Sequence, residues 1–378
     1  MSTEWRTRLL AAIETTLVPG LGSLAQGRLH AACPDLSEAF SMNHAALGAL
    51  EIQHDVAEAF LSRRYASMAE EILAWGEKEG CQFLHRGAPC YPALLEQTFD
   101  PPLILYARGN PRVLEGPCIS IVGTRRPTYY GLQMAEGLAS DLARRGIAIV
   151  SGMARGIDAA AHRGCLEANG LTVAVFGCGV DVIYPREHLR LSREILKEGL
   201  ILSEFPPGTS PSPQNFPVRN RIISGIAAGT VIVEASEYSG SLITARLAME
   251  QNREVFAIPG NITSPQSFGP NYLIKQGAKL VQTWRDIVEE LPPELRHTVL
   301  SKEDSQPQHS PELELLSEEE RTTLELLSFD HATQFDKIYR SRGMEISRLA
   351  SLLLDLEMRG WIRQVPGNLY IRASRPRR

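Results

Sequence analysis

The 378-residue sequence contains no long hydrophobic run. None of its apolar stretches approaches the roughly 18 to 20 residues that a membrane-spanning helix requires. Its beginning, MSTEWRTRLLAAIETTLVPG, includes Glu4 and Glu14 and lacks the basic region, apolar core and small-residue cleavage site of a secretory signal. We therefore expect a cytoplasmic protein that does not enter a membrane.

Cysteine is scarce and scattered along the chain. The six cysteines form no C-x-x-C pair and have no histidines near them at zinc-binding spacing. We therefore expect neither a disulfide framework nor a structural zinc site, and we favour reduced thiols packed in the interior. The cysteines are Cys33, Cys81, Cys90, Cys118, Cys165 and Cys178.

A strongly basic composition is also absent, since the formal net charge is -5. Net charge alone therefore does not favour a nucleic acid or another polyanion as a partner. Any nucleic-acid site must be a local patch of positive charge.

The motifs of several enzyme classes are missing. The sequence contains no G-x-S-x-G elbow, no H-E-x-x-H pair and no Walker A loop, and the loop after Val122 does not read G-x-G-x-x-G. The nine histidines are dispersed. We therefore predict no catalytic residue, no metal ligand and no cofactor.

The chain is long enough for two or three domains, because a typical domain holds ~100 to 200 residues. Residues 1–80 show only helical spacing of apolar residues, which predicts an all-helical domain of the SAM-like or helix-hairpin-helix-like kind. The turn over Leu17–Gly22 would form the hairpin. An ordinary turn between two helices explains it equally well, because no Lys or Arg stands beside its glycines to meet a phosphate.

Residues 81–295 alternate short apolar runs with helical segments. Strands that alternate with helices form a parallel sheet covered on both faces, so we predict a Rossmann-like, doubly wound α/β domain. We expect Phe83–Arg108 to be an irregular or extended lead-in. The predicted strands are Cys118–Val122, Ile147–Val150, Leu171–Phe176, Leu200–Leu202, Thr230–Val233, Glu254–Ile258 and Lys279–Val281.

Residues 296–312, RHTVLSKEDSQPQHSPE, are polar and aperiodic, which is typical of a flexible linker. Residues 313–378 then show three helical segments followed by two strands, which is the order of a winged helix. Its longest predicted helix, Glu345–Arg359, has mixed charge. Mixed charge argues against strong binding in a DNA groove, so a protein-contact or accessory role explains this domain at least as well, and the sequence leaves both open.

The candidate binding residues lie in loops that follow the predicted strands. Ligands of an open α/β sheet bind beyond the carboxyl ends of its strands, where helices begin. The loop after Val122 contains Gly123, Arg125 and Arg126, whose guanidinium groups are suited to phosphates or base edges. In the next such loop, Gly152 and Gly156 would let backbone N–H groups approach an anion.

Two neighbouring polar residues follow these glycines. Asp158 and His162 stand four positions apart on a predicted helix, a spacing that also suits a metal or acid/base pair. The neighbouring sequence offers no third metal ligand. We therefore favour helix capping by Asp158 and a packed His162.

A third loop follows the strand Thr230–Val233. Small hydroxyls and a glycine at a helix start can cradle a phosphate without a positive charge. The alternative is that Ser241 is simply the helix N-cap. The residues are Ser239, Gly240, Ser241 and Thr244.

The stretch QNFPVRNRIISG places an aromatic ring directly before two arginines. We expect a loop that enters a buried helix, with Phe216 stacked on a nucleic-acid base. Arg219 or Arg221 is expected to meet phosphate, with Asn220 between them in the same site.

The remaining arginine would then hold the loop in place. We expect it to pair with a carboxylate such as Glu204 or Glu234. The structural alternative is a buried Phe216 followed by arginines that only cap the helix.

Six strings in this region resemble the DNA-processing protein A family, also called Smf. They follow the family's order between about Ile121 and Ala278, and the agreement of several long strings makes the resemblance specific. The helical first part and the winged helix also fit the three-part layout of that family. The strings are IVGTRRPT, SGMARGIDAAAH, SEFPPGTSPSPQNFPVRNRIISG, VIVEASEYSGSLITARLA, VFAIPGNI and SFGPNYLIKQGA.

The resemblance implies a protein that binds single-stranded DNA, protects incoming strands during natural transformation and loads the RecA recombinase onto them. It also implies a homodimer formed through the Rossmann-like domain, and no enzymatic activity. The family's DNA-contacting arginine, in its G-[ST]-R motif, would be Arg125, and its base-contacting aromatic residue would be Phe216.

The sequence leaves two other functions open. A nucleotide-acting hydrolase of the phosphoribohydrolase-like group would share the fold. Its loop P-G-G-x-G-T-x-x-E supplies a catalytic Glu, whereas the corresponding loop here reads EYSGSLITAR. The winged helix would also suit a transcription regulator whose α/β core senses a ligand.

Overall fold

The computed structural model describes residues 3–300, 316–329 and 332–373. Up to residue 80 the chain is helical, as the spacing of its apolar residues predicts. Asp35 and Asn43 cap two of these helices, since their side chains accept hydrogen bonds from the backbone N–H groups of Ser37 and Ala46. The helices are α1 (Thr3–Leu17), α2 (Ser23–Ala32), α3 (Leu36–Ala39), α4 (His44–Ala49), α5 (His54–Leu61) and α6 (Ala66–Glu79).

The turn between α1 and α2 is packed tightly against α5. Gly20 adopts a φ of +84°, and a Cβ atom there would lie 2.8 Å from Cγ2 of Val56. Both the backbone conformation and the contact therefore require glycine at this position.

A nine-stranded sheet forms the centre of the molecule. Its order is β1-β2-β6-β5-β4-β3-β7-β8-β9, and the seven strands from β6 to β9 in that order are parallel. The strands are β1 (Gln82–His85), β2 (Ile104–Gly109), β3 (Cys118–Val122), β4 (Ala148–Ser151), β5 (Thr172–Val175), β6 (Leu200–Ser203), β7 (Gly229–Ile232), β8 (Glu254–Ala257) and β9 (Lys279–Leu280).

The seven strands predicted after residue 117 are all present, each within one residue of its expected bounds. The prediction for Phe83–Arg108 was wrong, because this segment contributes β1 and β2. These two strands pair antiparallel, and β2 also pairs antiparallel with β6. The strand β2 joins the sheet through β6, which comes much later in the sequence, and a pairing between distant segments leaves no local pattern.

Helices cover both faces of the sheet. On one face, Ile222 and Ile226 pack with Ala245 and Leu273 onto strand residues such as Val175. The helices of this domain are α7 (Ala93–Glu96), α8 (Tyr129–Ala143), α9 (Ile157–Glu167), α10 (Leu189–Glu198), α11 (Asn215–Ile226), α12 (Gly240–Glu250), α13 (Phe268–Lys275), α14 (Trp284–Val288) and α15 (Pro293–Leu300).

On the opposite face, Leu138 and Leu142 of α8 pack with Ala160 of α9. The Rossmann-like, doubly wound fold class is therefore confirmed. Leu9 of α1 and Leu73 of α6 share a further core with Tyr106 of β2. These first helices therefore pack against the antiparallel edge of the sheet.

Residues 296–300 of the predicted linker are helical, because α15 continues to Leu300. Residues 301–312 lie outside the described part of the chain.

The last part of the chain is a winged helix. Leu324, Ile338, Leu349, Leu353 and Leu356 form its core, and β12 pairs with both β10 and β11. Its elements are α16 (Glu318–Glu325), β10 (Thr333–Gln334), α17 (Phe335–Arg342), α18 (Ile346–Met358), β11 (Ile362–Val365) and β12 (Leu369–Arg372).

Among the residues that the structure describes, no helix combines the length and the apolar character needed to cross a membrane.

Candidate nucleic-acid interface

The strand order reverses at β3, which lies between β4 and β7. The chain leaves β3 towards one face of the sheet and β7 towards the other, so a crevice opens between their loops. The two loops are joined at its base, because the N–H of Thr124 donates to the carbonyl oxygen of Glu234 at 2.7 Å. The sheet topology thus places a binding crevice at this point.

An open cleft of about 720 Å³ lies at the carboxyl edge of the sheet. Ten of the thirteen predicted site residues line it, although they come from three separate parts of the sequence. They are Gly123, Arg125, Arg126, Phe216, Arg219, Asn220, Ser239, Gly240, Ser241 and Thr244.

Phe216 lies at the centre of an aromatic and cationic cluster in this cleft. The ring of Tyr184 stacks beside it, with centroids 5.7 Å apart and an interplanar angle of 30°. The guanidinium carbon of Arg125 lies 5.3 Å from the centroid of the Phe216 ring. Gly177 makes room for the ring, since a Cβ atom there would lie 2.9 Å from Cδ1 of Phe216. The fold itself therefore brings two aromatic rings and a guanidinium group together in the cleft.

The stretch around Phe216 is helical, which corrects the expected loop. Helix α11 begins at Asn215, and Pro217 lies in its first turn. Proline is tolerated there because the first N–H groups of a helix have no intrahelical acceptor. The arginines therefore lie inside the helix, and their direction is set by its periodicity.

The side chain of Arg219 points into the interior. This position corrects the expectation that Arg219 contacts phosphate directly. It is 4% exposed, and its Nη1 donates to the carbonyl oxygens of Gly152 (2.7 Å) and Val175. Burial lowers the pKa of Arg219 to about 10, which leaves the side chain charged at neutral pH. Its charge acts from the wall of the cleft.

Arg221 does not line the cleft, and it is the arginine that pairs with a carboxylate, which is one of the two roles expected for this pair. Its Nη2 lies 2.5 Å from Oε2 of Glu204, and its Nε lies 3.3 Å from Oδ2 of Asp100. Glu204 was one of the carboxylates expected to hold an arginine here. The other, Glu234, instead accepts hydrogen bonds from the backbone and side chain of Thr128 at the start of α8.

The N–H of Gly152 is already used within the chain, which corrects the predicted role of Gly152 as an anion donor, whereas that role of Gly156 stays a prediction. The N–H of Gly152 donates to Oδ2 of Asp158 at 3.1 Å, and a side chain there would collide with Arg219. Gly152 lines only a smaller adjoining cavity of about 30 Å³. Gly156 has a φ of +77° and packs against the carbonyl oxygen of Thr124.

Asp158 does not cap α9, whose N-cap is Gly156 without a side-chain hydrogen bond, so the favoured capping role was wrong. Its carboxylate instead accepts from the N–H groups of Gly152 and Ala154 in the preceding loop, whereas His162 is packed as favoured from the sequence. Nδ1 of His162 lies 2.7 Å from Oγ1 of Thr172. Burial lowers the pKa of His162 to about 3, so its imidazole is neutral. Within residues 3–300, 316–329 and 332–373, no three His, Cys, Asp or Glu side chains are grouped closely enough to hold a metal ion.

The N-cap of α12 is Ser239, not Ser241. Oγ of Ser239 accepts from the N–H of Ser241 at 3.4 Å and lies 2.8 Å from its hydroxyl. Ser241 and Thr244 are 8% and 2% exposed, so Gly240 presents the accessible surface of this helix start.

Tyr184 is the main cleft residue that the sequence did not identify. It follows β5 in a long loop and is 42% exposed. The sequence did offer one signal for it: a tyrosine that precedes a proline in a loop at the carboxyl edge of the sheet. Thr124, Pro211, Pro213 and Gln266 also line the cleft without having been predicted.

The fold and the cleft define a class: a Rossmann-like α/β protein with an aromatic and basic crevice at its switch point, preceded by helices and followed by a winged helix. The profile of the family described as DNA recombination-mediator protein A matches residues 82–292. The profile described as the DprA winged helix domain matches residues 306–368. The chain belongs to the DNA recombination-mediator protein A family, whose members are called DprA or Smf, and the resemblance seen in the sequence is confirmed.

Among its relatives is Protein Smf of Escherichia coli, with 39% identity over 84% of this chain and 84% of the relative. DNA processing protein DprA of Bacillus subtilis is 46% identical over 58% of this chain and 75% of its own length.

Two solved structures are similar. DNA processing protein A from Streptococcus pneumoniae has a TM-score of 0.66 and 32% identity, covering 77% of this chain and 99% of that one. DNA processing protein A from Helicobacter pylori, whose structure is described as giving insight into a single-stranded DNA binding mode, has a TM-score of 0.51 and 32% identity. That match covers 58% of this chain and 96% of the other.

Proposed function

We propose that this protein binds single-stranded DNA in the cleft at the switch point. The observation that carries the proposal is the cluster of Phe216, Tyr184 and Arg125 in an open cleft at the carboxyl edge of the sheet. Aromatic rings stack on bases of any sequence, and guanidinium groups attract the backbone. Arg125 and Arg126 are exposed and meet phosphates, while Phe216 and Tyr184 meet bases.

The helix starts around the cleft add to this attraction. The loops after β3 and β7 lead into α8 and α12, whose N-termini carry partial positive charge. Arg219 adds a further positive charge at the wall. Asp158 and Glu234 at these loops are buried and hydrogen-bonded, and Glu237, which is exposed in the loop after β7, does not line the cleft. Because Arg125, Arg126 and Arg219 do line it, the cleft favours a polyanion although the whole chain is acidic.

Stacking also explains the preference for single strands. The bases of a duplex already stack on one another, whereas those of a single strand can be splayed onto protein rings. We expect a fluorescent single-stranded oligonucleotide to bind in anisotropy titrations at least about tenfold more tightly than the same sequence as a blunt duplex. Equal affinity for both forms would refute single-strand binding in this cleft.

We further propose that the protein acts during natural transformation, as a homodimer formed through the Rossmann-like domain, and loads RecA onto the bound strand. Membership of a family described as recombination mediators supports this role. The test is RecA ATPase on DNA that is covered by single-strand-binding protein. Addition of this protein should shorten the lag before ATPase begins, and an unchanged lag would contradict loading.

A further inference from the structure

The loop after β5 carries Tyr184 to the cleft. This loop, residues 176–188, joins β5 to α10, and residues 176–185 consist of turns, bends and irregular backbone. The periodicity of a helix or strand therefore does not aim the ring of Tyr184, which stacks beside Phe216 at 5.7 Å. A loop holds a side chain less precisely than a helix or strand does, unless other contacts fix it. The contacts that fix this loop thus decide where the ring lies.

The first half of the loop is tied to the loop after β6. The N–H of Gly179 donates to the carbonyl oxygen of Thr209 at 2.9 Å. The carboxylate of Asp181 accepts from the N–H of Gly208, with Oδ1 at 2.9 Å. These hydrogen bonds fix the loop up to Asp181. Tyr184 comes three residues later, so its position also depends on an anchor on its other side.

The second half of the loop is tied to the loop after β4. Nε and Nη2 of Arg155 donate to the two carboxylate oxygens of Glu187 at 2.6 and 2.7 Å. Two parallel hydrogen bonds of this kind fix orientation as well as distance. Nδ1 of His188 lies 2.9 Å from the carbonyl oxygen of Met153, and it carries the proton because a carbonyl only accepts. Glu187 comes three residues after Tyr184, which therefore lies midway between two anchored positions.

Arg155 lies behind the two rings rather than in the cleft. It lines the small cavity of about 30 Å³ together with Tyr184 and Phe216, and it does not line the larger cleft. Its hydrogen bonds to Glu187 occupy two of the three nitrogens of its guanidinium group. Arg155 is therefore close enough to support the ring of Tyr184 and is not presented to a strand in the cleft.

We propose that the ion pair of Arg155 and Glu187 positions the ring of Tyr184 beside Phe216 for stacking on a base. Both members of the pair are positioning residues, since they act through the ring and do not touch the strand. This role rests on the proposed function, because the position of the ring matters only if a base stacks on it.

The exposure of the pair limits the size of the effect. The side chains of Arg155 and Glu187 are 60% and 52% exposed, and an exposed ion pair changes an equilibrium by at most about fivefold. The direction of the effect separates positioning from simple electrostatics. Removal of the Glu187 carboxylate makes the surroundings of the cleft more positive, which by itself tightens the binding of a polyanion. A displaced ring weakens binding instead.

The substitution Glu187→Ala in the full-length chain tests this role, with Glu194→Ala as the matched control. Glu194 also pairs with an arginine, Arg190, at 3.0 Å, and it belongs to α10 and does not line the cavity behind the rings. Each substitution removes one negative charge and one ion pair. In anisotropy titrations at fixed salt, Glu187→Ala should weaken single-strand binding by about twofold to about fivefold. Glu194→Ala should leave binding unchanged or tighten it slightly.

The same two substitutions are then made in a Tyr184→Ala background. Without the ring, Glu187→Ala should cause no further loss of affinity, whereas a general distortion of the cleft would weaken binding in both backgrounds. Equal weakening by Glu187→Ala with and without the ring would overturn the proposal, and so would equal effects of Glu187→Ala and Glu194→Ala. Tighter binding by Glu187→Ala would also overturn it, since the freed Arg155 would then meet phosphate.

Failure of the proposed function would look different. Equal affinity of the unchanged protein for single strands and duplex would refute single-strand binding itself. Unchanged binding by Tyr184→Ala alone would refute stacking by this ring, and the positioning role of Arg155 and Glu187 with it.

Discussion

The guanidinium carbon of Arg125 lies 5.3 Å from the centroid of the Phe216 ring. Arg125 belongs to the loop after β3, and Phe216 belongs to the first turn of α11. The fold thus joins a cation and a ring from distant parts of the chain at the switch point of the sheet. This arrangement suits a ligand that has both a charged backbone and flat bases.

Phe216→Ala should weaken binding to single-stranded DNA by about fivefold to about 150-fold, since one base stack is worth ~1 to 3 kcal/mol. Phe99→Ala is the matched control, because Phe99 is 89% exposed and does not line the cleft. Anisotropy titrations at fixed salt measure both affinities. If the two substitutions had the same effect, stacking by Phe216 would be excluded.

Tyr184 is expected to act as the second stacking ring. Tyr184→Phe keeps the ring that stacks on Phe216 and should bind single strands as the unchanged protein does. Tyr184→Ala removes the ring and should weaken binding by about fivefold or more. If Tyr184→Phe and Tyr184→Ala lost the same affinity, a contact of the hydroxyl group would dominate. That result would contradict stacking by the Tyr184 ring.

Arg221 is expected to serve stability rather than DNA binding. Arg221→Ala leaves the carboxylates of Glu204 and Asp100 without their cation in a largely buried setting, and breaking such a pair costs about 3 to 5 kcal/mol. Urea unfolding should therefore show a large loss of stability. Arg126→Ala, at an exposed position in the cleft, is the control and should leave the urea midpoint unchanged. Similar midpoints for the two variants would contradict this division of roles.

The stability of the protein should depend on pH through Glu204. Burial raises the pKa of Glu204 to about 7; Arg221 opposes the rise and Asp100 adds to it. A glutamate in the unfolded chain has a pKa of about 4.3. The folded protein therefore holds this proton more tightly, and the resulting stabilisation is complete below about pH 4 and is lost as the pH rises through about 7.

The variant Glu204→Gln isolates this effect, because glutamine resembles the protonated acid and does not titrate. The free energy of unfolding of the unchanged protein, minus that of the variant, should fall between about pH 5 and about pH 7 in urea titrations. A difference that stays constant or rises over this range would contradict the raised pKa.

The sequence predicts the parallel part of the sheet well, because each of its strands is a short apolar run whose pattern is local. It also predicts the loops that form the cleft, since the carboxyl edge of a parallel sheet follows from strand order alone. The directions of Arg219 and Arg221 could not be predicted. They depend on α11 starting at Asn215 and on the buried carbonyl and carboxylate groups that face each side chain.

Tyr184 was missed for a related reason. The loop after β5 is long, and only the folded chain brings its tyrosine beside Phe216. The strands β1 and β2 were missed because β2 joins the sheet by pairing with β6, far along the sequence, and β1 joins it only through β2.

The salt dependence of single-strand binding tests the central claim most directly, which is that Arg125 and Arg126 meet phosphates while Phe216 meets a base. Binding should be measured between about 50 and about 200 mM salt, where the logarithm of the association constant falls with a slope of about 0.7 per phosphate contact on single strands. The double variant Arg125→Ala/Arg126→Ala should reduce that slope by about 1.4, whereas Phe216→Ala should weaken binding at every salt concentration and leave the slope unchanged. An unaltered slope in the double variant would contradict the account.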